Sequence, residues 1–286
     1  MVKNYSIAGL EFSIRIPDER AYTEEGVLAA FAVESVRDPY VFEYEMADKL
    51  SPPNGACTVA EPGFRIYREG EGFARYIGMV ANSWEGAYIR VACQGKNHQV
   101  QLLKSQFPGR VGFHTILQCM ALEHLVIQRG GVLFHSSYIG IDGKAVLFTA
   151  PSQTGKSTQA ELWRKHRGAE ILNGDRSAVR IEDGKAVVSG IPFAGSSAYC
   201  KNRTLPLAAV VYLAQAPETT IRKLRGAEAF RRIWEGCSVN TWDKDDVTLA
   251  SGTVMQVAAS VPVYYLACTP DESAVTALER MLREKV

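Results

Sequence analysis

None of the six cysteines (Cys57, Cys93, Cys119, Cys200, Cys237, Cys268) belongs to a C-x-x-C pair or stands in a histidine-rich neighbourhood. Neither a zinc cage nor a dithiol redox motif is encoded, and reduced, partly buried thiols are expected. An excess of one charge is lacking too. Lys+Arg number 32 against 31 Asp+Glu, so bulk charge steers toward neither nucleic acid nor an acidic membrane surface. No stretch approaches the roughly 18 to 20 apolar residues of a membrane span, and the opening Met1-Val2-Lys3-Asn4-Tyr5 lacks the apolar core of a secretion signal. Internal repeats and low-complexity tracts are absent as well. These absences leave a cytoplasmic protein as the expectation and require any ligand site to arise from local geometry. What remains is ordinary globular material: 286 residues, 47% hydrophobic and 22% charged, enough for one large or two modest domains.

The first part, residues 1–110, alternates short apolar runs with turn clusters and reads as β-rich. Its runs are Tyr5 to Ile16, Val41 to Met46, Phe64 to Tyr67, Phe73 to Met79 and Ala87 to Ala92. Turn signals stand at Ser51-Pro52-Pro53-Asn54-Gly55 and at Glu69-Gly70-Glu71-Gly72, the second predicting a hairpin with a four-residue loop. Its aromatics, Phe42, Tyr44, Tyr67, Tyr76, Trp84 and Tyr88, fall within or beside the strand-like runs and read as core. No chemistry is recognisable there; packing or shaping a cleft is the expected role.

Pro108-Gly109-Arg110 marks the boundary to a second domain, 111–286. A helix is predicted over Phe113 to Gln128, ended by Gly130-Gly131. Its His114 and His124 have no companion ligand at metal-site spacing and read as packed or solvated. Val132 to Ile141 and Lys144 to Thr149 flank Asp142-Gly143, a strong hairpin signal. With Ile141 opposite Lys144, that register sets His135 opposite Ala150 and brings an imidazole to whatever Ala150 begins.

Ala150 begins a phosphate-loop pattern: Ala150-Pro151-Ser152-Gln153-Thr154-Gly155-Lys156-Ser157-Thr158, between an apolar strand and a helical run to His166. The glycine lets backbone N–H groups turn inward, the lysine reaches the β- and γ-phosphates, and the serine hydroxyl can ligate Mg²⁺. The following helix adds its amides and the positive end of its dipole. Residues 152–158 are the nucleotide-binding candidates. Ile171-Leu172-Asn173-Gly174-Asp175-Arg176 then ends a short strand in an acidic residue, where a metal-orienting carboxylate is expected in phosphoryl transfer. Asp175 also suits a plain surface turn. A small-residue loop, Gly190 to Ser197, leads to Lys201-Asn202-Arg203, and Arg176, Lys201 or Arg203 could contact phosphate or substrate or be surface charges. The remainder reads as structural: strands at Ala208 to Leu213 and Val263 to Ala267, helices at Gly226 to Trp234 and Asp246 to Ala259, and a last helix opened by a capping box at Thr269-Pro270-Asp271-Glu272.

The block from Phe134 to Arg176 resembles the HPr kinase/phosphorylase family, whose nucleotide-binding core is shared with phosphoenolpyruvate carboxykinases. His135, Ser152, Gly155-Lys156-Ser157 and Asp175-Arg176 carry the resemblance. It covers the C-terminal part loosely and the N-terminal part not at all. The resemblance implies an α/β (mixed α+β) fold with a P-loop-containing core, use of ATP and Mg²⁺, and phosphorylation of a serine hydroxyl on a protein. It is similar to a divergent group of such kinase-like proteins, some of which occur beside peptide-modification systems, which adds a peptide or small molecule as acceptor. Two departures stand out. The family has glycines where this chain has Ala150 and Gln153, and the first of its paired aspartates, the general base, corresponds to Gly174. The expectations are therefore an ATP- and Mg²⁺-dependent kinase-like enzyme, with His135 or Asp175 assisting the acceptor and Ser157 and Asp175 holding metal, or a catalytically impaired nucleotide sensor whose β-rich part binds a partner. A carboxykinase-like enzyme would need further metal ligands that the sequence lacks. Acceptor identity and oligomeric state stay open.

Overall fold

The computed structural model describes residues 1–17, 22–24, 26–78, 83–107, 111–197 and 199–284. The boundary turn Pro108-Gly109-Arg110 and Met79 lie outside them. The architecture is mixed α+β with large mixed sheets, in two compact units, Met1–Ala121 and Leu122–Val286.

The first unit contains β1 (Val2–Ile7), β2 (Leu10–Arg15), β3 (Tyr22–Glu24), β4 (Ala32–Val33), β5 (Tyr40–Ala47), β6 (Cys57–Glu61), β7 (Phe64–Glu69), β8 (Gly72–Ile77), β9 (Ile89–Gln94), β10 (Asn97–Leu103) and β11 (Val111–Gly112). Nine of them make one sheet in the order β4-β1-β2-β5-β10-β9-β8-β7-β6, and β11 pairs with β3. The run Tyr5 to Ile16 is a hairpin rather than one strand, because the chain turns at Ala8 (φ 50°) and Gly9 (φ 74°). The loop between β7 and β8 is shorter than its sequence signal: Glu69 pairs with Gly72, leaving two residues in the turn. Phe42, Tyr44, Tyr67 and Tyr76 are buried, and Phe42 stacks on His98 at 4.2 Å between centroids. Burying each such ring contributes about 1.5–3 kcal/mol.

The helical pattern over Phe113 to Gln128 is two helices, α1 (Phe113–Met120) and α2 (Leu122–Ile127). Ala121, at φ 47° and ψ 51°, interrupts it. Of the two helices, α1 belongs to the first unit and α2 opens the second, which continues through β12 (Gly131–His135), β13 (Ser137–Ile141), β14 (Lys144–Thr149), α3 (Lys156–Arg167), β15 (Glu170–Asn173), β16 (Arg176–Glu182), β17 (Lys185–Gly190) and β18 (Thr204–Gln215). It closes with β19 (Thr220–Leu224), α4 (Gly226–Trp234), β20 (Cys237–Ser238), α5 (Lys244–Ser260), β21 (Val263–Cys268) and α6 (Glu272–Arg283).

The twelve-residue β18 is shared by two strand arrays. Its start pairs antiparallel with β17, and its remainder lies parallel between β14 and β21. The series β15-β13-β14-β18-β21-β19 carries α3 and α6 on one face, packed through Ile139, Phe148, Trp163, Val211, Leu266 and Leu278. The opposite face, with Leu147 and Val210, packs on Phe134 of β12 and on Ile233 and Val254 of α4 and α5. The N-cap of α6 is Asp271, which accepts from Ser273 N at 2.8 Å and from the Thr269 hydroxyl at 2.6 Å. Thr269 therefore stands outside the cap expected of it, because the helix begins only at Glu272.

Candidate functional site

The apolar run of β14 is wholly buried from Ala145 to Thr149, and its parallel pairing with β18 ends at Thr149 opposite Tyr212. The chain leaves the sheet there, at the carboxyl end of a parallel strand, where ligands of α/β sheets bind. Pro151, Ser152 and Gln153 are exposed. Gln153 takes φ 64°, and its carbonyl accepts from Gln215 Nε2 at 3.4 Å. Gly155, at φ 115°, turns the chain into α3, and Lys156 is the first helical residue. Ser157 and Thr158 follow on the exposed first turn. Lys156 folds back: its Nζ donates to the carbonyls of Ala150 (3.0 Å) and Pro151 (3.3 Å) and is 8% exposed. Burial pushes its pKa down, and Asp175 opposes that shift.

The hairpin register is as the sequence predicts, with Ile141 opposite Lys144 and Ser137 opposite Phe148. The facing of His135 with Ala150 is not reached. The strand breaks at Ser136, whose N–H bonds to the Asp175 carbonyl at 3.0 Å, and beyond the break His135 pairs with Arg176 of β16. β12 thus leaves the hairpin sheet for the other array. His135 stays beside the loop by other bonds: its carbonyl accepts from Thr149 Oγ1 at 3.0 Å and its N–H donates to Gly236 O at 2.8 Å.

Asp175 lies in the two-residue link between β15 and β16, not at a strand end. Asn173, fully buried, shapes that link. Its Oδ1 accepts from the N–H groups of Asp175 (3.1 Å) and Arg176 (3.2 Å), and its Nδ2 donates to Ile191 O at 2.6 Å. The Asp175 side chain stays 32% exposed. His135 Nδ1 lies 3.1 Å from the Asp175 carbonyl and 3.5 Å from its Oδ1. Arg176 Nε is 3.7 Å from Oδ2, and its guanidinium sits over the Phe193 ring. The His135 pKa is lowered, chiefly by partial burial and then by Lys156 and Arg176, against an upward pull from Asp175. The neutral imidazole is favoured.

The loop from Ile191 to Tyr199 packs on this link. A Cβ at Gly174 would fall 1.7 Å from Ser197 Oγ and 2.5 Å from Ser197 Cβ, so no side chain fits there unless the loop moves. Gly174 N–H bonds to Tyr199 O, and the Ser137 hydroxyl bonds to Gly174 O. Ser137 and Thr149, and the contacts of Asn173 with Ile191 and of Ser197 with Gly174, escaped sequence reasoning, since these contacts are distant in the chain. Lys156, His135, Asp175 and Arg176 are brought into one neighbourhood. Lys201 and Arg203 are not brought to it: both charged ends pair with Glu170 at the start of β15, Lys201 Nζ at 2.7 Å. For a hard cation the suitable donors are the Ser157 hydroxyl, on the exposed first turn of α3, and the accessible Asp175 carboxylate.

A second group of ligand-type atoms, from His124, Asp243 and Asp246, lies within 4.8 Å of one another. There the Asp246 oxygens already accept from Gln128 Nε2 and Asn240 Nδ2 and contact His124 Nδ1 at 3.0 Å, while Asp243 caps α5. N–H donors pointing at the carboxylate make this a structural anchor, not a cation cage. The six cysteines are free thiols, and no helix of the described residues is long and apolar enough to cross a membrane.

No protein-family model matches the chain, and no curated protein matches it. Among solved structures it is similar to the Hpr(Ser) kinase/phosphatase from Coxiella burnetii, at 13% identity and a TM-score of 0.34, over 53% of this chain and 88% of that one. The similarity is weak and structural only.

Proposed function

We propose that the second unit binds a nucleoside triphosphate at residues 152–158 and acts as an ATP- and Mg²⁺-dependent phosphotransferase of the HPr kinase-like kind, acting on a hydroxyl acceptor. The observation that carries the reading is the convergence, at the carboxyl end of a parallel strand, of a Gly155-Lys156-Ser157 helix start with a carboxylate and an imidazole from the neighbouring link and strand. Lys156 and the loop amides hold the phosphates. To do so Lys156 exchanges its bonds to the Ala150 and Pro151 carbonyls for phosphate oxygens, a gain of charge-assisted hydrogen bonds. Ser157 and Asp175 would hold the metal, which when bound neutralises charge on the transferring group. His135 or Asp175 assists the acceptor hydroxyl, and Arg176 faces the same carboxylate.

Calorimetry of ATP·Mg²⁺ binding by the wild type and by Lys156→Ala tests the reading. Affinity is expected to fall on the order of tenfold or more in the variant, the loss of a charge-assisted contact. Unchanged affinity would remove the phosphate site. Incubation with labelled ATP and candidate protein, peptide and small-molecule acceptors then tests transfer.

A second reading is favoured by one observation, the packing of Gly174 against Ser197, which leaves no carboxylate and no room for one before Asp175. On that reading the unit binds nucleotide without transferring phosphate, and the β-rich unit contacts a partner. Tight binding with no transfer to any acceptor would support it.

A further inference from the structure

A carbonyl oxygen only accepts hydrogen bonds, so the 3.1 Å contact of His135 Nδ1 with the Asp175 carbonyl sets a hydrogen on Nδ1. In the neutral ring the lone pair is then on Nε2. No described residue hydrogen-bonds Nε2, and the side chain is 37% exposed. The backbone of His135 is fixed on both sides, by Gly236 O at 2.8 Å and by the Thr149 hydroxyl at 3.0 Å. Thr149 directly precedes the phosphate loop, which ties the His135 backbone to it. The Asp175 carboxylate, 3.5 Å from Nδ1, offsets positive charge on the ring when Nε2 gains a bond. An imidazole whose inner nitrogen is oriented by a backbone carbonyl beside a carboxylate, and whose outer nitrogen is open, is the arrangement of an oriented nucleophile. At the same time Ser197 occupies the room beside Gly174, where another carboxylate would have to stand.

We propose that His135 Nε2 is itself a phosphoryl acceptor, so that the protein forms a phosphohistidine from a nucleoside triphosphate and exchanges phosphate between nucleoside di- and triphosphates without any second acceptor. The proposal rests on nucleotide binding at the phosphate loop. In the forward step the Nε2 lone pair forms a bond to the γ-phosphorus. The bond from that phosphorus to the β–γ bridging oxygen breaks, and its electron pair leaves with the nucleoside diphosphate; no proton moves. When a hydroxyl acceptor is present, its oxygen bonds to phosphorus, the N–P pair returns to Nε2, and the hydroxyl proton passes to the Asp175 carboxylate. With no acceptor the diphosphate takes the group back, which is the exchange activity.

The test uses the full chain with γ-labelled ATP and Mg²⁺ and no other protein. The expected result is label on the protein that is lost in acid and kept in alkali, that mass spectrometry maps to His135, and that added ADP removes. Label is also expected to appear in ATP from labelled ADP, and His135→Gln should abolish both signals while still binding ATP by calorimetry. The acid lability and mapping are read on the wild type, so the outcome does not depend on the variant folding. Nucleotide binding without label or exchange, or label that survives acid on a hydroxyl residue, overturns the histidine acceptor and leaves the phosphate loop standing. Absence of nucleotide binding overturns both.

Discussion

Two histidine–aspartate pairs sit in the same unit, and they are built for opposite ends. At His124–Asp246 the carboxylate is fully buried and surrounded by N–H donors from His124, Gln128 and Asn240, which ties α2, the 240 region and α5 together. At His135–Asp175 the carboxylate is 32% exposed and keeps acceptor capacity, and the imidazole keeps an open nitrogen. The difference is one of saturation. A buried carboxylate with its lone pairs filled stabilises the fold, whereas an accessible one with unfilled lone pairs can take a cation or a proton.

Breaking the saturated pair should have the largest effect. Asp246→Ala strands three donors and is expected to cost on the order of 3 kcal/mol in urea unfolding, with ATP affinity unchanged. A loss of ATP binding at full stability would erase the contrast. Next in size is Gly174→Asp, which must displace the Ser197 loop and should cost about 2 kcal/mol. Adding Ser197→Gly should restore part of that loss in a double-mutant cycle.

The pH dependence sharpens the same contrast. Burial alone would raise the Asp246 carboxyl, but the bonds from His124, Asn240 and Gln128 outweigh it and leave the folded pKa below the ordinary 3.8. Its contribution to stability is therefore complete above that ordinary value and is lost as pH falls through the lower folded one. Asp246→Asn should flatten the stability profile within that acid window. The smallest effect is expected at the open pair. Asp175→Asn should change stability by no more than about 0.5 kcal/mol, as for an exposed charge, while Mg²⁺-dependent ATP affinity drops in calorimetry.

Elements with local signals are legible in the amino-acid sequence itself. The Asp142-Gly143 turn sets the register of β13 and β14, and the loop from Ala150 to Thr158 is readable because strand, turn and helix follow one another directly. Where the deciding partner is distant in sequence, legibility fails. Nothing near His135 announces that its strand abandons β14 for β16, because the switch is made by the Asp175 carbonyl bonding to Ser136 N–H. Asn173 reads as a turn residue until Ile191 and the backbone of residues 175 and 176 fill its amide. Ala121 breaks a helix with no glycine or proline to mark the place. β10 escapes the pattern of apolar runs because its polar face, Asn97, Gln99 and Gln101, interrupts it. Lys201 and Arg203 look available for phosphate only while Glu170 is out of view.

The fit of Ser197 against the bare α-carbon of Gly174 also couples substitutions at the two positions. A carboxylate introduced at position 174 meets the Ser197 side chain, and a change that first opens the loop loses the Ser197 bonds to Ala194 and Tyr199. Changes at the two positions are therefore expected to be non-additive, so the chemistry open to the turn is coupled to the packing of the loop.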